Sequence, residues 1–151
     1  MPRACWSDDT APLGWELNDE FQGIVRLWGD LIALRLDRGG DSRGLAGRDV
    51  EVPHVDHDAK TVASLGCDGG VEGEVLVAMN FAARLVEDLV VGLPEGGPCH
   101  LRVDTDWEGY RADLEGRTAI VDLRFGATQL DGRPARARLA IGGDTALIYT
   151  R

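Results

Sequence analysis

The densest set of proton-transfer and metal-ligating side chains in this sequence is His54-Val55-Asp56-His57-Asp58. On an extended strand successive side chains alternate, so His54, Asp56 and Asp58 share one face and His57 takes the other. That split separates two imidazoles that a metal site would need together, and no metal ion or other cofactor is expected. A neutral imidazole near pH 7 is the commonest proton acceptor, which makes His57 the expected catalytic base. Asp68, Glu72 and Glu74 lie beside a glycine-rich turn, Asp68-Gly69-Gly70 with Gly73 just after it. At a helix start the free amides of such a turn could polarise a carbonyl, with Asp68 or Glu72 moving a proton. The same carboxylates also serve as plain helix caps, and the sequence leaves both readings open. Cys67 is either a nucleophile activated by that positive end or a buried, inert thiol.

These groups depend on the elements that carry them. Cys67 to Gly92 reads CDGGVEGEVLVAMNFAARLVEDLVVG, a glycine turn running into an apolar stretch. Its spacing predicts a buried helix from Val71 to Val91, with Asn80, Arg84, Glu87 and Asp88 as a narrow polar stripe and Gly92 and Pro94 as the stop. Downstream, residues alternate as in half-buried strands. Leu101, Val103, Thr105 and Trp107 form one row, Ala119 to Ala127 a second, and Ala135, Ala137, Leu139 and Ile141 a third. Parity then places Phe125 opposite Leu139 and Leu123 opposite Ile141 across an odd loop, Asp131-Gly132-Arg133, with Arg136 and Arg138 outward. Upstream, Gly29-Asp30 is a two-residue turn signal that favours a hairpin over 23–37, although Leu17, Phe21, Ile24, Trp28 and Leu31 stand at helical spacing.

The chain of 151 residues fits one domain over 21–151, preceded by an arm at 1–20 anchored by Trp6 and Trp15. A net charge of −10 argues against a nucleic-acid partner. No apolar run has membrane-spanning length, and the acidic N-terminus lacks the apolar core of a signal peptide. Cys5, Cys67 and Cys99 form no CxxC pair, so reduced thiols in a cytoplasmic protein are expected.

Short strands, a long buried helix and then antiparallel strands resemble the hot-dog fold, an α+β class with a sheet wrapped around one central helix. The segment GVEGEVLVAMNFAARLV at 70–86 resembles the helix entry of the hot-dog domain in A-factor (γ-butyrolactone) biosynthesis proteins and, more distantly, β-hydroxyacyl carrier-protein dehydratases. The resemblance implies an enzyme acting on an acyl thioester, acyl-CoA or acyl carrier protein, by dehydration, hydrolysis or related condensation in lipid or polyketide-type secondary metabolism. It also implies a homodimer, the strand from His100 to Glu108 pairing with its counterpart. Gly69, Gly70, Gly73 and Asn80 would then contact the acyl group, and Arg136 and Arg138 the phosphates of its carrier. Both families carry a histidine near the helix entry, which is absent here from Ser64 to Gly70. That absence favours the alternative of a non-catalytic acyl-binding or assembly module. A small cyclase or isomerase of cone-shaped α+β fold is a further alternative.

Overall fold

In the computed structural model, residues 17, 19–69, 73–95, 97–110, 122–123, 130 and 132–151 are described. Among these, one α-helix, α1 (Gln22–Arg35), and a 3-10 turn (Arg43–Leu45) precede eight strands: β1 (Asp49–Asp56), β2 (Thr61–Cys67), β3 (Val75–Asn80), β4 (Val86–Leu93), β5 (Cys99–Asp104), β6 (Asp122–Leu123), β7 (Ala135–Ile141) and β8 (Thr145–Thr150). Six form an antiparallel sheet in the order β1-β2-β3-β8-β5-β6, and β4 pairs with β7 in a second, two-stranded sheet.

The two sheets pack face to face. Ala63 and Leu65 of β2, Leu76 and Ala78 of β3, Leu147 and Tyr149 of β8 and Cys99 of β5 meet Leu89, Val91 and Leu93 of β4 and Ala135, Ala137, Leu139 and Ile141 of β7. The opposite face of the large sheet is also covered: Val75, Val77, Val103 and Ile148 pack with Tyr110 against Leu27, Leu31 and Leu34 of α1. The order of layers is therefore helix, large sheet, small sheet. Strands β3 and β8 lie in the middle layer, so successive residues are buried on opposite sides.

This overturns the hot-dog fold class. The helix expected over Val71 to Val91 is two strands, β3 and β4, joined by a turn at 81–85. A strand covered on both faces is apolar at successive positions and loses the alternation of a half-exposed strand, so VLVAMN reads like one side of a buried helix. Asn80, placed in sequence on a helical stripe, is instead buried at the end of β3. It donates to the carbonyls of Arg84 at 2.8 Å and Gly142 at 2.7 Å, and its side-chain oxygen accepts from the Ala82 amide at 2.9 Å. One side chain thus pins the β3–β4 turn to the β7–β8 turn.

The hairpin expected over 23–37 is helix α1. Tertiary packing of Leu27, Leu31 and Leu34 outweighs the turn preference of Gly29-Asp30. Gly23 seats the helix flush on the sheet, since a β-carbon there would fall 1.6 Å from the Tyr110 carbonyl oxygen. The far end of α1 is tied down by polar contacts. The Ser42 hydroxyl donates to the Leu34 carbonyl at 2.8 Å, while the Arg102 side chain of β5 pairs with Asp41 and donates to the Thr150 hydroxyl of β8 at 2.8 Å.

The alternation of β7 is as the sequence predicts, with Ala135, Ala137, Leu139 and Ile141 buried and Arg138 exposed. Its partner differs. Ile141 pairs with Val86 and Leu139 with Leu89 in β4, whereas Leu123 pairs with Cys99 in β5. Phe125 lies outside the described residues. A bridge between Leu130 and Arg133 encloses two residues, not the three expected. A register shift between Leu101 and Val103 turns Val103 to the helix side, breaking the row expected through both. Strand β5 also lies between β8 and β6, and β6 covers the outer edge of β5 at Cys99 and His100. The expected arm at 1–20 falls almost wholly outside the described residues. No helix among the described residues is long and apolar enough to cross a membrane.

Candidate functional site

The residues singled out in sequence do not converge. Asp56 to Lys60 form the hairpin turn between β1 and β2, where the Asp56 carboxylate accepts from the amides of Asp58 at 2.9 Å and Ala59 at 2.8 Å. Those backbone bonds, that of Ala59 above all, hold the Asp56 carboxyl below its usual range. His57 sits exposed at the tip of this turn, and His54 Nε2 meets the Thr61 hydroxyl at 2.9 Å. Asp68 and Gly69 occupy an exposed turn at the other end of β2, with Gly69 at φ +73°. Glu72 and Gly70 lie outside the described residues. Gly73, at φ +84°, accepts the Gly44 amide on its carbonyl at 2.8 Å and is buried against Arg43. Among the described residues of this segment no helix starts, and Val75 opens strand β3, so the helix end on which the acyl chemistry depended is replaced by a strand. Burial, reinforced by the Glu74 carboxylate, raises the Cys67 thiol instead of activating it. Arg138 pairs with Asp88 across the exposed face of the small sheet at 2.8 Å, and Arg136 stands half-buried opposite Gly92. Among the described residues no group of histidine, cysteine or carboxylate side chains is placed to hold a metal ion.

A different set of side chains does come together. After β5 the chain turns through Asp104-Thr105-Asp106-Trp107-Glu108-Gly109-Tyr110, a turn held by its own backbone: the Trp107 amide donates to the Asp104 carbonyl at 3.1 Å and the Tyr110 amide to that of Trp107 at 2.9 Å. The Asp104 carboxylate accepts the Asp106 amide at 2.9 Å, and burial raises its pKa. Trp107 and Tyr110 meet edge to face, centroids 5.0 Å apart and planes at 88°. A β-carbon on Gly109 would fall 2.5 Å from the indole, so only glycine lets the ring lie there.

Helix α1 supplies the other wall. Arg26 donates to the Gly109 carbonyl at 3.0 Å and stands 6.0 Å over the Trp107 ring. The Tyr110 hydroxyl donates to Asp30 at 2.7 Å. Burial, together with that bond, raises the phenol well above its ordinary range and keeps it a donor. Between helix and turn lies a cleft of about 610 Å³ lined by Glu20, Phe21, Gln22, Ile24, Arg26 and Glu108, among others. Trp107 stands outside this lining, 45 % exposed on the turn that carries Glu108, Gly109 and Tyr110 into it. An arginine held in place and two carboxylates at one cleft, with an exposed indole on the turn that bounds it, suit a neutral, polyhydroxylated ligand whose apolar ring face reaches the indole while its hydroxyls donate to carboxylates. Sequence reasoning missed this site, although an aromatic pair in an acidic, glycine-containing turn, Asp106-Trp107-Glu108-Gly109-Tyr110, is a readable signal of an exposed recognition loop.

The model of one family, the alpha amylase C-terminal all-beta domain, matches residues 54–151, well over half of the chain and nearly the whole run from the middle of β1 to β8. The chain belongs to this family. Among curated proteins no match is found. Membership of an all-beta family replaces the resemblance to hot-dog proteins, and with it falls the acyl-thioester enzyme of lipid or polyketide-type metabolism. Helix α1 precedes the matched region, so one wall of the Trp107 cleft comes from outside the family domain and the other from within it.

Proposed function

We propose that this chain is a glycoside-hydrolase-associated β-module that binds α-linked glucan at the Trp107 cleft. The observation that carries the reading is the family match, which spans both sheets and joins the chain to a domain named for alpha amylases. The cleft supports it with chemistry. Trp107, exposed on the turn that bounds the cleft, offers the flat apolar surface that a pyranose ring covers, and Glu20, Gln22 and Glu108 of the cleft lining offer hydrogen-bond partners for its hydroxyls. Arg26 and Asp30 act in support, each already bonded to the turn and so fixing its shape.

Titration with maltooligosaccharides, followed by tryptophan fluorescence and calorimetry, tests this. Binding weakened about tenfold or more in Trp107→Ala, with unchanged circular dichroism, is the expected result, since the indole would be the anchor of the contact. An unaltered affinity in that variant, or no binding at millimolar sugar, overturns the assignment of the cleft.

A further inference from the structure

Helix α1 is apolar on two opposite sides. Leu27, Leu31 and Leu34 face the large sheet, while Phe21, Ile24, Val25, Trp28, Ile32 and Leu36 run along the solvent side at three- and four-residue spacing. Trp28 at its middle is 62 % exposed and Leu36 at its end 60 %. With Leu17, each of these side chains is between 44 % and 62 % exposed, a run of large apolar groups along one element rather than the single scattered ones ordinary on a monomer surface. We propose that this face joins two copies of the chain through an antiparallel pairing of their α1 helices about Trp28.

Three observations select a second copy as the occupant. The stripe is nearly symmetric about its centre: with Trp28 opposite its counterpart, Ile24 falls opposite Ile32 and Phe21 opposite Arg35, as a two-fold contact requires. Charge follows the same symmetry. Exposed Asp19 and Glu20 precede the helix and exposed Arg35 and Arg38 end it, so antiparallel pairing brings acid to base at both ends and also opposes the two helix dipoles. Finally, Gly29 sits beside Trp28 with no atom within 4 Å of where its β-carbon would be. A mid-helix glycine weakens a helix, and nothing among the described residues needs it there. A flat spot next to the central tryptophan gives the partner's ring a seat. Phe21 and Ile24 also line the Trp107 cleft, so the second copy would stand at the rim of each cleft.

Sedimentation velocity across the micromolar range tests the pairing in the full chain. A concentration-dependent dimer is expected for the native sequence. Trp28→Glu should weaken it about thirtyfold or more, as loss of a central aromatic anchor does. Gly29→Gln, on the exposed side of the helix, should also dissociate it while leaving circular dichroism unchanged. The charge-reversed chains Glu20→Arg and Arg35→Glu should each weaken association about two- to fivefold, and the double variant should restore it. A monomeric native chain throughout the range overturns the proposal. So does a dimer indifferent to Trp28→Glu, while charge reversals that add rather than compensate overturn the antiparallel arrangement.

Discussion

The ion pair between Glu74 and Arg151 should contribute far more to stability, when it is broken from one side, than the exposed ion pairs among the described residues. Arg151 Nη1 donates to Glu74 Oε2 at 2.9 Å, with the two side chains only 12 % and 9 % exposed. Leu65, Leu76, Leu93 and Cys99 wall the pair together with Glu95, the Cys67 thiol donates to Glu74 Oε1 at 3.8 Å, and the Arg151 amide donates to the Glu74 carbonyl at 3.1 Å. By contrast Arg138–Asp88 is more than half exposed on both sides, the class of pair worth about 0–1 kcal/mol. Substituting Arg151→Met leaves the buried Glu74 carboxylate with a thiol donor but without its cation, which costs about 3–5 kcal/mol. The double variant Glu74→Leu/Arg151→Met removes both charges and should regain most of that loss, because desolvating an ion pair offsets much of its attraction. Urea unfolding reads the result as a lower midpoint at unchanged m-value for Arg151→Met and near-native behaviour for the double variant. A single variant losing less than about 1 kcal/mol would show that water reaches the pair and that the burial argument is wrong.

Three other perturbations probe different layers. Gly23→Ala places a methyl group into the Tyr110 carbonyl and should lift α1 from the sheet, seen as loss of helical circular dichroism and protease cleavage near Arg35 while the β signal persists. Asn80→Ala strands the carbonyls of Arg84 and Gly142 and should cost about 2–4 kcal/mol by thermal unfolding, whereas an exposed Asn-to-Ala change costs little. In a Cys5→Ser background, Cys99, raised to about 11 by burial, should react with a thiol reagent at pH 8 only on unfolding, and Cys67 more slowly than a free thiol. Because the folded thiol holds its proton longer than the unfolded one, the Cys99 contribution is intact below pH 9 and is lost as pH rises through about 11, so Cys99→Ala should flatten part of the alkaline decline in stability.

What the sequence revealed follows from which surfaces are wet. Strand β7 has one buried and one solvated face, and Ala135-Arg136-Ala137-Arg138-Leu139 announces it plainly. β3 and β8 are covered by helix and small sheet together, so their continuous apolar runs carry no period, and 75–91 passes for one helix. For α1, the local turn preference of Gly29-Asp30 competes with a leucine spacing whose reward comes only when the sheet is present. The Trp107 site was harder still. Its decisive contacts, Arg26 to Gly109 and Tyr110 to Asp30, cross 83 and 80 residues, a separation no local pattern encodes.

The position of β8 also governs how the molecule can be made. The last strand of the described chain inserts between β3 and β5 and hydrogen-bonds to both, so the large sheet is two disconnected pieces until Thr145 to Thr150 arrive. A nascent chain, or any fragment ending before Thr145, must hold the edges of Val75–Asn80 and Cys99–Asp104 open at once, and each edge invites pairing with a neighbouring molecule. Closure is thus a late, long-range event. Pairing of β3 with β8 across some seventy residues should make folding slow relative to a helical domain of this size. A peptide copying Thr145–Thr150 would compete for the same vacant lane during refolding.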